Sequence, residues 1–378
     1  MASLPLLKDI PDLRGKRVLL RLDTDVPIES DKVRDAYRLD RARETLEFLR
    51  TQGARTLIVG HIGRDPKETL HPVFEHLKKS LPIEFVKTFK DAEREMEELT
   101  NGEFLLLENL RSFPGETMND AAFATDLASL ADLFVNEAFA VSHREHASIV
   151  GVPALLPSFV GFVFAEEVDN LSKAFSPAHP ALLVLGGAKF ETKLPLIERF
   201  LDVVDNIYIG GALANDIYRA RGYDIGASLV SDCAISQRIL EHPKVYVPSD
   251  VVVKTSAGRT EKGADNVERA EKIVDAGSDA IADLRALIEK AAFVLWNGPL
   301  GEYEAGFDAG TVALAQMLAE CDAETIVGGG DSLAVISRLG LLPRFSFVST
   351  GGGAMLEFLA HKTLPGIEVL EKRLAFSV

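Results

Sequence analysis

The sequence predicts an α/β protein of two lobes, each a parallel sheet flanked by helices. Apolar runs of strand length alternate with amphipathic helical patterns along the chain, as in parallel sheets joined by crossover helices. At 378 residues there is enough chain for two full cores. Five apolar runs in the second half end in glycine, usually with a helical pattern following.

In chain order, KRVLLRLD, ARTLIVGHIGR, EFLLLENLR and LFVNEAF read as strands of the first lobe, with helical patterns at 40–52 and 120–130. A proline- and glycine-bearing stretch, 151–161, leads into a helix at 162–174 that links the lobes. The expected division is 1–158, a hinge at 159–176, a second lobe at 177–362, and a tail helix at 363–378 returning to the first lobe. In the second lobe the runs ALLVLGG, NIYIGG, FVLWNG, TIVGGG and FSFVSTGGG read as strands buried on both faces. Glycine at a strand's carboxyl end lets backbone N–H groups approach a ligand, and a helix starting there adds its positive dipole end. Several such junctions in one lobe point to a polyphosphate, hence a nucleotide.

Bulk properties narrow the function. A formal charge of −16 repels nucleic acid and acidic membranes, so any anion site must be a local cationic cluster. Cys233 and Cys321 lack metal or redox spacing, which fits a reducing cytoplasm. The opening MASLPLLKDIPDL does not read as a secretory leader. The longest apolar stretch contains Gly151, Pro153, Pro157 and Gly161, which argues against a membrane span. No extended apolar patch or heptad suggests a dimer, so a monomer is expected. There is no G-x-x-x-x-G-K-[ST] run and no G-x-G-x-x-G opening a helix after the first strand, which excludes the P-loop class and counts against a dinucleotide oxidoreductase.

Ligands of open parallel sheets bind beyond the carboxyl ends of the strands. In the first half those ends carry Asp23, Asp25, His61, Arg64, Arg111, His143, Arg144 and His146, with Arg38 in a loop before a helix. Several arginines on one rim suit a small, highly anionic molecule, although any one of them alone reads as a surface residue. In the second half Lys189 and Lys193 are four apart on one helix face, beside Gly186 and Gly187, and could hold a phosphate or be an exposed pair. Asp331 could reach a metal on a nucleotide, cap a helix, or both. Glu304 could bond a ribose hydroxyl.

The segments RLDTDVP, GHIGR, LLENLRSFPGE, AFAVSHREHAS, LGGAKFETK, GGALAN, LWNGPLGEYE, GGGDS and STGGGAMLEFL, in this order, resemble the phosphoglycerate kinase family, bacterial members most closely. The resemblance implies two Rossmann-like lobes joined by a hinge helix, which close on each other in reversible phosphoryl transfer. The substrates would be 1,3-bisphosphoglycerate and Mg-ADP, the products 3-phosphoglycerate and ATP, with Mg2+ as cofactor. Asp23, Thr24, Asp25, Arg38, His61, Ile62, Gly63, Arg64, Arg111 and Arg144 would bind phosphoglycerate. Gly187, Lys189, Lys193, Gly211, Asn297, Glu304, Gly329, Gly330, Asp331 and Ser332 would bind the nucleotide, Asp331 reaching the metal. Arg38, Lys193 and Gly330 would act on the transferring group.

Four positions depart from the family pattern. Asp25 stands in place of Asn, Thr24 in place of a large apolar residue, Glu137 in place of Asp and Ala140 in place of Gly, the last two beside the Arg144 loop. A second carboxylate beside an anionic substrate repels it unless protonated or paired, for instance with Arg38. The expectation is an active kinase with weakened phosphoglycerate binding. The alternatives are a nucleotide-binding paralogue that has lost turnover and a kinase of a related carboxylate.

Overall fold

The computed structural model describes residues 4–375; the first three residues of the opening segment and the last three of the expected tail helix lie outside them. The chain divides into two compact units, Met1–Asp169 with Thr363–Val378, and Asn170–Lys362.

In the first unit β1 (Arg17–Arg21), β2 (Arg55–Val59), β3 (Ile83–Val86), β4 (Phe104–Leu107), β5 (Leu133–Asn136) and β6 (Ser158–Val160) form one parallel sheet, in the order β3-β4-β2-β1-β5-β6. Central β1 places Leu19 between Leu57 and Phe134, all three fully buried. Strands buried on both faces are the ones that read as continuous apolar runs. Edge strand β3 has only four residues, and β6 has three inside the proline- and glycine-bearing stretch, so neither stood out. The helical pattern at 40–52 is two helices, α1 (Tyr37–Arg41) and α2 (Arg43–Thr51), meeting at Ala42. The 162–174 pattern forms α3 (Phe162–Lys173).

The second unit runs through β7 (Ala181–Leu185), α4 (Phe190–Phe200), β8 (Asn206–Ile209), α5 (Ala212–Ala220) and β9 (Val245–Tyr246). It continues through β10 (Asp250–Thr255), β11 (Gly258–Gly263), β12 (Lys272–Ala276), β13 (Phe293–Asn297) and β14 (Glu324–Gly328), then α6 (Gly330–Arg338), β15 (Phe347–Ser349) and α7 (Gly353–His361). Its main sheet is parallel, ordered β9-β8-β7-β13-β14-β15. All five glycine-ended runs lie in it. A smaller antiparallel sheet, β11-β10-β12, was not expected; β11 reads GRTEKG, is largely exposed, and carries no apolar alternation to reveal it.

The tail helix α8 (Pro365–Ala375) packs within the first unit. Leu364, Ile367 and Leu370 are buried, and the Gly366 N–H donates to the Ser142 carbonyl at 3.0 Å. In each main sheet the chain order reverses beside the first strand, between β2 and β5 around β1 and between β8 and β13 around β7. Those two switch points are where a crevice opens at the carboxyl edge.

Candidate active site

The carboxyl edge of the first sheet gathers cations. Arg21, the last residue of β1, is fully buried. Its guanidinium donates to the Leu22 carbonyl (2.6 Å), to Ser148 Oγ (3.0 Å) and to His61 Nδ1 (3.0 Å). Buried Glu116 faces the same network, accepting from the N–H (2.9 Å) and Oγ–H (2.6 Å) of Ser148. Because arginine only donates, His61 Nδ1 is the acceptor and a neutral ring carries its proton on Nε2. Burial, with Arg21, Arg111 and Arg144 around it, pushes the His61 imidazole down to about 2. The ring is therefore neutral across the physiological range. Arg111 donates to the Gly63 carbonyl, and burial and neighbouring Arg144 pull its guanidinium below the ordinary range. Exposed Arg64 belongs to the same field. Burial and Arg144 likewise push His146 down to about 4. Cations crowded to this degree hold one another at unfavourable energy until an anion arrives.

Arg38 lies on α1 rather than in a loop ahead of a helix. Its Nη1 donates to the Asp25 carbonyl at 3.1 Å and stands 3.3 Å from the Asp23 carboxylate. Burial raises the Asp23 carboxyl, against the pull of Arg38 and Arg21. The carboxylate of Asp25 turns the other way: Oδ1 accepts from the Gly63 N–H at 2.9 Å, and Oδ2 is 3.8 Å from His61 Nε2. The partner expected for that carboxylate, Arg38, thus takes the backbone oxygen instead. Thr24 is fully buried and its hydroxyl donates to the His61 carbonyl at 2.8 Å, and Ile62 is buried as well. Both support the turn from behind.

Glu137 does not serve the Arg144 loop. It is buried at the end of β5, where its carboxylate accepts from Thr45 Oγ1 and from the N–H groups of Val163 (3.2 Å) and Phe164 (3.4 Å). It thereby caps the start of α3, and the one extra methylene relative to Asp supplies the reach.

In the second unit three glycine turns interlock around the switch point. A side chain on Gly211 (φ +61°) would meet the Gly187 nitrogen at 2.7 Å and the Pro299 carbonyl at 2.8 Å; one on Gly298 (φ +95°) would meet the Gly186 carbonyl at 2.4 Å. Only glycine permits that approach and that backbone conformation. Lys193, on α4, is buried, and its Nζ donates to the Gly186 carbonyl at 2.5 Å. Burial lowers its ammonium to about 8, opposed by Asp331. Lys189 does not share its helix face: it precedes α4, exposed, with a left-handed φ of +64°.

Beside these turns lies a cavity of about 320 Å3, walled by Ala214, Tyr218, Val251, Ile273 and Leu300, with Glu304 and Asp331 at its border. An apolar slot flanked by glycine turns suits a flat base joined to phosphates. At α6 the helix cap is Gly329 (φ +100°), so Asp331 is an exposed first-turn residue and not the cap. Ser332 is buried and its Oγ accepts from the Gly298 N–H at 3.0 Å, tying the β13 and β14 turns together. Asn297 is buried at the end of β13, beside Gly329. Gly330 is exposed at the first position of α6. Among the described residues no group of three or more His, Cys, Asp or Glu side chains could cage a metal.

A family model described as phosphoglycerate kinase matches residues 7–362. Curated phosphoglycerate kinases are similar throughout: that of Thermus thermophilus is 43% identical over 95% of this chain and 98% of its own, and that of Rubrobacter xylanophilus 41% over 96% and 97%. The chain belongs to the phosphoglycerate kinase family. The solved phosphoglycerate kinase of Coxiella burnetii superposes with a TM-score of 0.84 at 34% identity, covering 99% of this chain and all of that one. The Pyrococcus horikoshii enzyme gives 0.86 at 28% identity, over 98% of this chain. As a member of the phosphoglycerate kinase family the chain is a phosphotransferase.

Sequence reasoning missed Arg21, Glu116 and Ser148, and the apolar cavity wall. Arg21 sits inside an apolar strand, and that was the available signal: an arginine in a strand buried on both faces must have buried partners. The cavity wall gathers α5, the antiparallel sheet and the Pro299 turn, which no local pattern connects.

Proposed function

We propose that the chain transfers a phosphoryl group reversibly between ATP and the carboxylate of 3-phosphoglycerate. In the direction that consumes ATP, a carboxylate oxygen forms a bond to the γ-phosphorus as the bond to the β-phosphate bridging oxygen breaks. The products are 1,3-bisphosphoglycerate and ADP. The observation that carries this reading is a pair of unlike faces, one in each unit, each at a switch point of its own sheet. One face offers Arg21, His61, Arg64, Arg111 and Arg144 to a small anion; the other offers interlocked glycine turns, Lys193 and an apolar slot to a nucleotide.

A carboxylate acceptor, with a pKa of about 3.5, is already ionised and needs no general base. Catalysis then rests on positioning and on cationic stabilisation of the transferring oxygens. Arg38 and Lys193 take that role, and Gly330 N–H at the first position of α6 adds a donor. The neutral Nε2–H of His61 donates to the phosphoglycerate, while Glu304 borders the ribose. A lone exposed carboxylate at Asp331 fits Mg2+, which binds through one or two carboxylates and substrate phosphates. When bound, Mg2+ neutralises phosphate charge.

Direct transfer requires the two faces to meet during turnover, with the 159–176 connection as the hinge. Small-angle scattering should show compaction when both substrates are present, and an unchanged radius of gyration would count against it. The reading includes action as a monomer in the cytoplasm; among the described residues no helix is long and apolar enough to cross a membrane. A coupled assay with ATP and 3-phosphoglycerate tests the whole proposal. Turnover supports it; nucleotide binding without turnover would sink it.

A further inference from the structure

Arg38 is carried by a helix that cannot hold itself in place. Helix α1 has five residues, its N-cap Ala36 offers no side-chain bond, and at Ala42 the chain turns into α2. Helices this short take their position from tertiary contacts. The contact at its far end is Arg41, whose side chain is only 12% exposed. Its guanidinium pairs with Glu167 at 3.0 Å and with Glu166 at 2.5 Å, both on α3, and the Glu167 side chain is fully buried. Three residues back on the same helix, Arg38 Nη1 sits at the Asp23–Asp25 turn. Arg41 lies outside every motif that carried the family resemblance.

We propose that Arg41 is a positioning residue for phosphoryl transfer: its ion pairs to α3 hold α1 where Arg38 meets the transferring group. The proposal rests on the role given to Arg38 above. A buried ion pair is weak evidence for stability as such, because desolvation offsets the attraction. Orientation is another matter, since a displacement of about 1 Å away from the chemistry can cost about a hundredfold in rate.

The test is steady-state kinetics on the full-length protein with ATP and 3-phosphoglycerate. Arg41→Met should lower kcat about 10- to 100-fold and leave the KM for ATP within about twofold. Arg41→Lys, which keeps a charge but loses the two-pronged fork, should recover part of the loss. If removing the Arg41 charge beside buried Glu167 unfolds the single variant, Arg41→Met with Glu167→Gln removes both charges and should show the same fall in kcat. The decisive arm repeats Arg41→Met in an Arg38→Ala background, where it should cost less than about twofold, because residues acting through one group are not additive. An equal cost in both backgrounds, or a folded double-charge variant with unchanged kcat, would overturn the proposal. Full kcat in Arg38→Ala alone would instead overturn the role of Arg38 from which it starts.

Discussion

At the scale of single residues, the cation-rich edge of the first sheet is decided by where charges point. Asp25 keeps its carboxylate on the Gly63 N–H and 3.8 Å from a neutral His61, and the arginines on that side, Arg111 and Arg21, attract it without a hydrogen-bonded pair. Asn would keep the same hydrogen bond and drop the charge. Asp25→Asn should therefore lower the KM for 3-phosphoglycerate about fivefold, equivalent to roughly 1 kcal/mol of like-charge repulsion at a half-exposed site; an unchanged or higher KM removes the idea of weakened binding. On the other face, Lys193→Ala should cost about 100- to 1,000-fold in kcat if its ammonium stabilises the transferring oxygens, and a loss confined to nucleotide KM would assign it to binding alone. The sequence disclosed Asp23, His61, Arg64, Arg111 and Arg144 because a charged residue after an apolar run is conspicuous. It hid the tautomer of His61, which depends on Arg21, forty positions away.

At the scale of elements, the long parallel strands were legible because burial on both faces writes an unbroken apolar run, and the glycines after β7, β8 and β13 answer to backbone packed too close for a side chain. Short or solvated strands wrote no such pattern, as β6 and β11 illustrate. Glu137 belongs to this scale, since it joins β5, α2 and the start of α3. Burial pushes its carboxyl up to about 7, outweighing the donors Thr45, Val163 and Phe164. A raised carboxyl pKa means the native state holds the proton more tightly than the unfolded chain. Its contribution to stability is full below about pH 4.5 and is lost as pH rises through about 7. Glu137→Gln cannot titrate, so the stability of wild type minus variant should fall by about 3 kcal/mol between pH 4.5 and pH 8. Urea denaturation at the two pH values measures this, and a difference independent of pH would refute it.

At the scale of the whole molecule, the tail matters most. Leu364, Ile367 and Leu370 are each nearly inaccessible to solvent, and at about 1.5–3 kcal/mol apiece their burial rivals the net stability of an ordinary domain. A chain ending at residue 362 should lose the first unit's calorimetric transition, or shift it far down, while the second unit's transition persists. A first unit melting as before would show that the tail is dispensable. The expected return of that helix to the first lobe left its docking residues unnamed, because they lie more than two hundred residues upstream around Ser142 and Ile149. The first unit is therefore a split structure, its sheet built from residues 17–160 and its core completed by residues 364–370. On the ribosome its opening strands must wait, incomplete, while the entire second unit is made. The order of synthesis then favours the second unit being whole first, with the first unit sealed only once residues 364–375 have been made.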